Sequence, residues 1–308
     1  MNFTSTRSRI SFTGVAAPLK LLFTQVMIVG ATLGAAIPAS AAPIFRPDLA
    51  SFAVLGAAGV TNVATSTIGG NLGAAPSAST GGGYVFTAGS LQPNTPAAQQ
   101  AQRDLDAATV TINSMGPGTL LGADLTGIIN PGVYTVPASG SNLSGGLILD
   151  GGGSNSAVWV FLFPSTLITS STSNVVVTNV GDGAKVGIYW SVGSTATLNG
   201  ATFAGNVLAH DLIRSDGNLA LGCGRLLSAT AQVTLIQDTI SLGCAGYANS
   251  GGFDQGADTG FGFGGGSAVD LPEPGSLALL SLGLMGFGLT RRRKQMCFNS
   301  PAALRCAP

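Results

Sequence analysis

Charged side chains are scarce in this chain: they make up 8% of its 308 residues, where a soluble domain carries about 25%. A conventional helical protein needs Lys and Glu on its exposed faces, so the shortage argues against one. It fits a β architecture surfaced by Ser, Thr, Asn and Gly. Between Pro43 and Gly246 there are five basic residues (Arg46, Arg103, Lys185, Arg214, Arg225) and nine acidic ones, all Asp, a net charge of −4. No basic face is available for a phosphate backbone, which excludes nucleic acid as a partner. Histidine occurs once, at His210. A Ser-His-Asp site would need it, with Asp211 and Asp216 close by, but no Gly-x-Ser-x-Gly elbow surrounds a Ser. His210 reads instead as a hydrogen-bonding corner residue. The aspartates are scattered and sit largely at turns such as Asp150-Gly151 and Asp182-Gly183, not as the spaced carboxylate pair of a glycosidase. Phosphate loops, dinucleotide fingerprints, Ca²⁺ nonapeptide arrays and Cys-x-x-Cys pairs are missing too. The expectation is a non-enzyme with no catalytic residues, no metal and no cofactor. Trp159 and Trp190 lie in apolar segments and read as core rather than as a sugar platform.

What is present begins at the two ends. Arg7, Arg9 and Lys20 precede an apolar stretch from Leu21 to Ile37, and Ala39-Ser40-Ala41 is a small-x-small cleavage site. This is the pattern of a signal peptide over residues 1–41, removed by signal peptidase; the alternative is a membrane helix. At the other end Pro272-Glu273-Pro274 is followed by an apolar run from Gly275 to Thr290 and then by Arg291, Arg292, Arg293 and Lys294. The run is short for a span of about 20 residues, and the basic cluster belongs on the cytoplasmic side. Residues 271–294 resemble the PEP-CTERM sorting signal. That resemblance implies an exosortase as a second processing enzyme. It also implies an exported protein, secreted or at the cell surface, with transient or lasting membrane anchoring. The chain departs from the family by continuing through residues 295–308, with Cys297 and Cys306, to which no role is assigned. Residues 247–270 are Gly-rich and aperiodic and read as a flexible linker.

Between the ends, short β-branched segments separated by Gly or Asn read as strands, among them 157–161, 175–178, 186–190 and 232–236. An internal repeat is visible. Gly205–Ala209 aligns with Gly224–Ser228 at an offset of 19, and Leu219–Cys223 with Ile240–Cys244 at an offset of 21. Repeats of this length suggest coils of a β-solenoid. Stacked one coil apart at the same corner, Cys223 and Cys244 would fall within disulfide range, and export exposes them to an oxidising compartment. The alternative is two buried free thiols. One segment breaks the pattern. Thr95-Pro96 is a helix start, residues 98, 101, 105, 108 and 112 form an apolar face, and Gly116-Pro117-Gly118 ends it.

In this order the segments from about Leu49 to Ile240 resemble the ice-binding-like family. The matching segments are Phe52-Ala53-Val54-Leu55, Gly69–Gly73, the helix, Asn130–Tyr134, Leu147–Gly151, Ala157–Phe161, Ile188–Trp190, Phe203–Ala209 and Gly224-Arg225. The resemblance implies a mainly β fold over residues 42–246: a right-handed β-solenoid (β-helix) of triangular section with one α-helix packed alongside. Its coils need not all stack in chain order. It also implies an ice or ordered-water surface as partner, which calls for a flat Thr-bearing face. With Leu167, Ala196, Ile213 and Val233 inward, alternation puts Thr166 and Ile168, Thr195 and Thr197, Leu212 and Arg214, and Gln232 and Thr234 outward. The candidate ice-binding residues are therefore Thr166, Thr195, Thr197 and Thr234. Arg214 and Gln232 would roughen the array. The bland alternative is that Thr is simply favoured on exposed strands. As a function, adsorption to ice competes with a structural or adhesive role in an extracellular polysaccharide matrix.

Overall fold

The computed structural model describes residues 44–200, 202–247 and 250–254. The signal peptide, the sorting segment and the residues after it lie outside that range. Helix α1 (Pro47–Ala50) leads into β1 (Phe52–Gly56), β2 (Gly59–Val63), β3 (Ser66–Gly69), β4 (Asn71–Ala74), β5 (Tyr84–Ala88) and β6 (Leu91–Pro93). Helix α2 (Pro96–Asn113) follows, then β7 (Thr119–Leu120), β8 (Gly127–Ile129), β9 (Gly132–Thr135), β10 (Gly146–Asp150), β11 (Val158–Phe163), β12 (Leu167–Ile168) and β13 (Asn174–Thr178). The last strands are β14 (Gly187–Val192), β15 (Ala196–Leu198), β16 (Thr202–Ala209), β17 (Ile213–Ser215), β18 (Ala220–Ser228), β19 (Gln232–Ile236) and β20 (Thr239–Ser241).

Pairing between these strands is parallel throughout, and it sorts them into three faces of a triangular β-solenoid. Face A runs β6-β4-β1-β18-β16-β14-β11-β9-β7. Face B is the five-stranded sheet β12-β15-β17-β19-β2. Face C runs β5-β3-β20-β18-β16-β13-β10-β8. Strands β16 and β18 are long enough to serve both C and A. They turn the corner at a bulge after Ala204, where Gly205 (φ +97°) stacks on Gly224. A Cβ on Gly224 would sit 2.0 Å from the Gly205 carbonyl oxygen, so this corner admits no side chain.

Stacking does not follow the chain. β1 lies between β4 and β18, so the first coil sits against the last, with Val54 opposite Leu226 and Leu55 opposite Leu227. The first three coils build outward from β1 through β4 to β6. The remaining coils start at the far end with β7 and return. Helix α2 carries most of that jump. Eighteen residues span about 27 Å, between five and six strand spacings of about 4.8 Å, and residues 114–118 complete the path to β7. Gln102 donates to the Ser228 carbonyl on β18, and the Ser191 hydroxyl on β14 donates to Asn113 at the helix end. The Thr95 hydroxyl accepts from the Ala98 amide at 3.3 Å and Pro96 occupies the first turn. Ala98, Ala101, Leu105, Ala108 and Ile112 are buried against Phe52, Leu55, Val160, Tyr189, Leu208 and Leu227 of face A. The four-residue α1 is a second helix that the sequence pattern did not announce.

Within the coils the core is aromatic at its centre. Trp190 stacks on Phe161 at 4.3 Å and meets Phe203 at 4.9 Å. The indole N–H groups of Trp159 and Trp190 donate to the Ile129 and Ala204 carbonyls, and both rings are fully buried.

Two sequence readings need correction. In the strands, Leu221 pairs with Ile240 and Ala220 with Thr239, an offset of 19; the 21-residue alignment is displaced by two. The cysteines themselves do lie 21 apart. Cys223 and Cys244 are disulfide-bonded with Cα atoms 4.6 Å apart. The ladder of β20 ends at Ser241, so Cys244 reaches Cys223 from beyond the strand rather than from its paired position. The second correction concerns residue 247 as the start of a free linker. Phe253 and Asp254 are buried, and Asp254 makes an ion pair of 2.8 Å with the buried Arg225. Arg225 also donates to the Ala50 and Gly251 carbonyls and to Asn206, and its guanidinium lies over the Phe45 ring. The folded unit thus extends at least to Asp254.

Candidate ice-binding face

Face B is set by period-two alternation. Leu167, Ala196, Ile213, Val233 and Val60 form one inward row, all fully buried. This is the inward set and register read from the sequence, plus Val60 from the first coil. The outward row beside it is Ile168, Thr197, Arg214, Thr234 and Thr61, one per coil. The next row outward holds Thr166, Thr195, Leu212 and Gln232, two positions earlier in each coil. Thr166, Thr195, Thr197 and Thr234 are half-buried on this surface and Thr61 is exposed. The structure brings Thr195 and Thr197 together on one coil, with Thr166 on the coil beside it. Thr234 is separated from them by the Arg214 coil.

Thr61 was missed by sequence reasoning. Its hydroxyl donates to that of Thr234 at 3.1 Å. The alternation in Val60-Thr61-Asn62-Val63 was legible, but its neighbour in space was not. The Arg214 guanidinium pairs with Asp216, two residues on, at 2.8 Å.

Face B is braced along the corner it shares with face C. Asp238 is buried there. Its carboxylate accepts from the Ser215 hydroxyl and from the Leu219 and Ile236 amides, and its own amide donates to Ser66. Burial raises the Asp238 carboxyl above the usual range, with those donors pulling against it. Ser66 in turn donates to Asn62, whose amide holds the Ala64, Gly82 and Gly83 carbonyls. Each contact fixes a strand end, so the outward rows are held at fixed spacing. At the opposite corner His210 pairs with Asp211 at 2.8 Å in an exposed position. That hydrogen bond and one from Thr230 lower the Asp211 carboxyl. The hydroxyl beside the pair, that of Thr230, donates to Asp211 and to the His210 carbonyl, and among the described residues no group of His, Cys, Asp or Glu could hold a metal ion.

Residues 54–241 match the family model described as ice-binding-like. The chain belongs to the ice-binding-like family. Residues 270–294 match the PEP-CTERM protein-sorting motif, which indicates export with C-terminal sorting and exosortase processing. An ice-binding protein of Nostoc sp. (strain HG1) is 38% identical over 211 residues, covering 67% of this chain and 77% of that protein. One from Flavobacterium frigoris (strain PS1) is 29% identical over 217 residues, covering 63% and 74%. Among solved structures, an ice-binding protein from an Antarctic biological consortium superposes with a TM-score of 0.57 at 28% identity, covering 65% of this chain and 91% of that one. The ice-binding protein of the ascomycete Antarctomyces psychrotrophicus gives 0.55 at 31% identity, covering 65% and 98%. These family relatives are ice-binding proteins, not enzymes.

Proposed function

We propose that this chain is an exported ice-binding protein that adsorbs to ice through face B, with no turnover and no cofactor. The observation that carries the reading is the outward ladder of five parallel strands, β-branched at Ile168, Thr197, Thr234 and Thr61, broken once at Arg214 and closed by the Thr61–Thr234 hydroxyl pair. A β ladder restricts the Thr rotamer and spaces hydroxyls and methyls regularly, about 4.8 Å between strands. Such an array orders water without needing charge. Thr166, Thr195, Thr197 and Thr234 are the contact residues, joined by Thr61. The sorting motif at 270–294 supports a location outside the cell, reached through a signal peptide at 1–41 and with anchoring for part or all of the protein's life as parts of the same proposal.

A matrix role is the second reading, as a structural or adhesive component among exopolysaccharide. It is supported by the sorting tail and by Arg214 and Gln232, which interrupt the Thr rows, with Asp216 paired to Arg214 beside them. Thermal hysteresis and ice recrystallisation inhibition on residues 42–254 separate the two. The wild-type domain should be active and the Thr195→Tyr, Thr197→Tyr variant should lose most of that activity. A folded wild-type domain with no activity sinks the ice reading and leaves the matrix one.

A further inference from the structure

Face C carries its own outward surface, which no reading of the sequence singled out. One row runs from exposed Asn174 through Thr202, Ala220, Thr239 and Thr67 to Val85. The adjacent row begins with exposed Ile128, Ile148 and Val176 on successive coils. It continues through the small side chains of Ala204, Gly222 and Ser241. Beneath both rows Leu147, Val175, Phe203, Leu221, Ile240 and Ile68 are buried and hold the sheet in place.

The composition of these rows decides what could cover them. Neither contains Asp, Glu, Lys or Arg, so an anionic surface finds no counter-charge. Neither contains Trp, Tyr, Phe, Met or Arg, the residues that anchor protein interfaces, and no aromatic ring is offered to a sugar. What remains is β-branched methyls, three Thr hydroxyls, the Asn174 amide and small residues at fixed spacing, an uncharged surface whose chemistry orders neutral water. Face B has the same chemistry but is interrupted by Arg214 and Gln232, with Asp216 paired to Arg214 beside them. The β19 coil passes directly from face B to face C at Asp238, which also ties the neighbouring β17 and β3 coils at that corner.

We propose that face C is a second ice-contacting plane, so that the domain engages ice on two adjacent faces and more than one crystal plane. The proposal rests on the ice-binding reading given above. It is tested on the full chain and, in parallel, on residues 42–254, with folding checked by circular dichroism. Four forms are compared: wild type, Thr197→Tyr on face B, Thr202→Tyr with Thr239→Tyr on face C, and the combination. The exposed single substitution Thr239→Lys serves if the face C double variant folds poorly. Thermal hysteresis should fall in each single-face variant and vanish in the combination. Fluorescently labelled protein on a single-crystal ice hemisphere should lose a different set of planes in each.

A face C variant with wild-type hysteresis and wild-type plane pattern overturns the proposal. So does a wild-type chain that sediments as a dimer and becomes monomeric in that variant, since a second copy would then be the occupant. An inactive wild type removes the ice-binding reading and this one together. Loss in the face C variant with a silent face B variant leaves face C standing and removes the contact residues proposed on face B.

Discussion

Thr61 and Thr234 are 173 residues apart in the chain and share a hydrogen bond of 3.1 Å between their hydroxyls. Their contact exists only because the first coil is stacked on the last. If face B meets ice, Thr61→Tyr should lower thermal hysteresis about as much as Thr234→Tyr. The double variant should be less than additive, since neighbours sharing one contact couple. Full hysteresis in Thr61→Tyr would remove the first coil from the contact surface.

Arg214 stands between Thr197 and Thr234 in the outward row. Replacing it and its partner, as Arg214→Thr with Asp216→Asn, joins the two Thr patches and should raise hysteresis at equal concentration. Both side chains are about half exposed, so the stability change should stay within about 1 kcal/mol. Unchanged or lower activity would show that the charged rung is part of the contact and not a break in it.

The Cys223–Cys244 bond closes a 21-residue loop, a constraint on the unfolded chain of about 3 kcal/mol by loop entropy. Cys223→Ser with Cys244→Ser should lower the denaturation midpoint by a corresponding amount, measured beside wild type treated with reductant. Equal midpoints for all three would assign the bond no role in stability.

Arg225 and Asp254 tie residues 250–254 to the solenoid. Desolvation pulls the guanidinium below its ordinary range and Asp254 supports its charge. Removing one partner of a buried pair costs about 3–5 kcal/mol, so Asp254→Asn should be strongly destabilising. A domain ended at Gly246 should melt below one ended at Asp254. Identical melting of the two would mean that the segment is not part of the cooperative unit.

Asp238 gives a pH signature. Its folded pKa is raised by burial, so the native state holds the proton more tightly than the unfolded chain. The associated stability is present below the ordinary carboxylate range and declines as pH rises from that range through the raised value. Relative to Asp238→Asn, wild type should therefore gain most at acid pH and progressively less toward neutrality. Melting temperatures of both proteins between about pH 3 and 7 test this, and a difference that grows with pH refutes it.

Much of the solenoid was legible because its signals are local. Thr95-Pro96 caps α2 as written, period-two alternation put Leu167, Ala196, Ile213 and Val233 inside, and Gly205–Ala209 pairs with Gly224–Ser228 residue for residue. What escaped was everything set by the order of stacking. Nothing within residues 59–63 says that they extend the sheet of residues 232–236, so Thr61 could not be joined to the Thr rows. Face C escaped for a related reason: its Thr residues are one per coil and dispersed over 202, 239 and 67. Low charge alone could not separate a packed tail from a linker either, because the anchor of residues 250–254 is one Arg far upstream.

Val54 faces Leu226 across the seam where the two directions of growth meet. A nascent chain therefore holds an unfinished coil from its first strand onward, with no partner for one side of β1 until β18 has been made. The coils from β7 to β18 stack in chain order, so they can form as they emerge, but the seam with β1 closes only after them. Contacts between such distant residues also make closure slow. The same seam that completes the surface thus times when that surface comes into being.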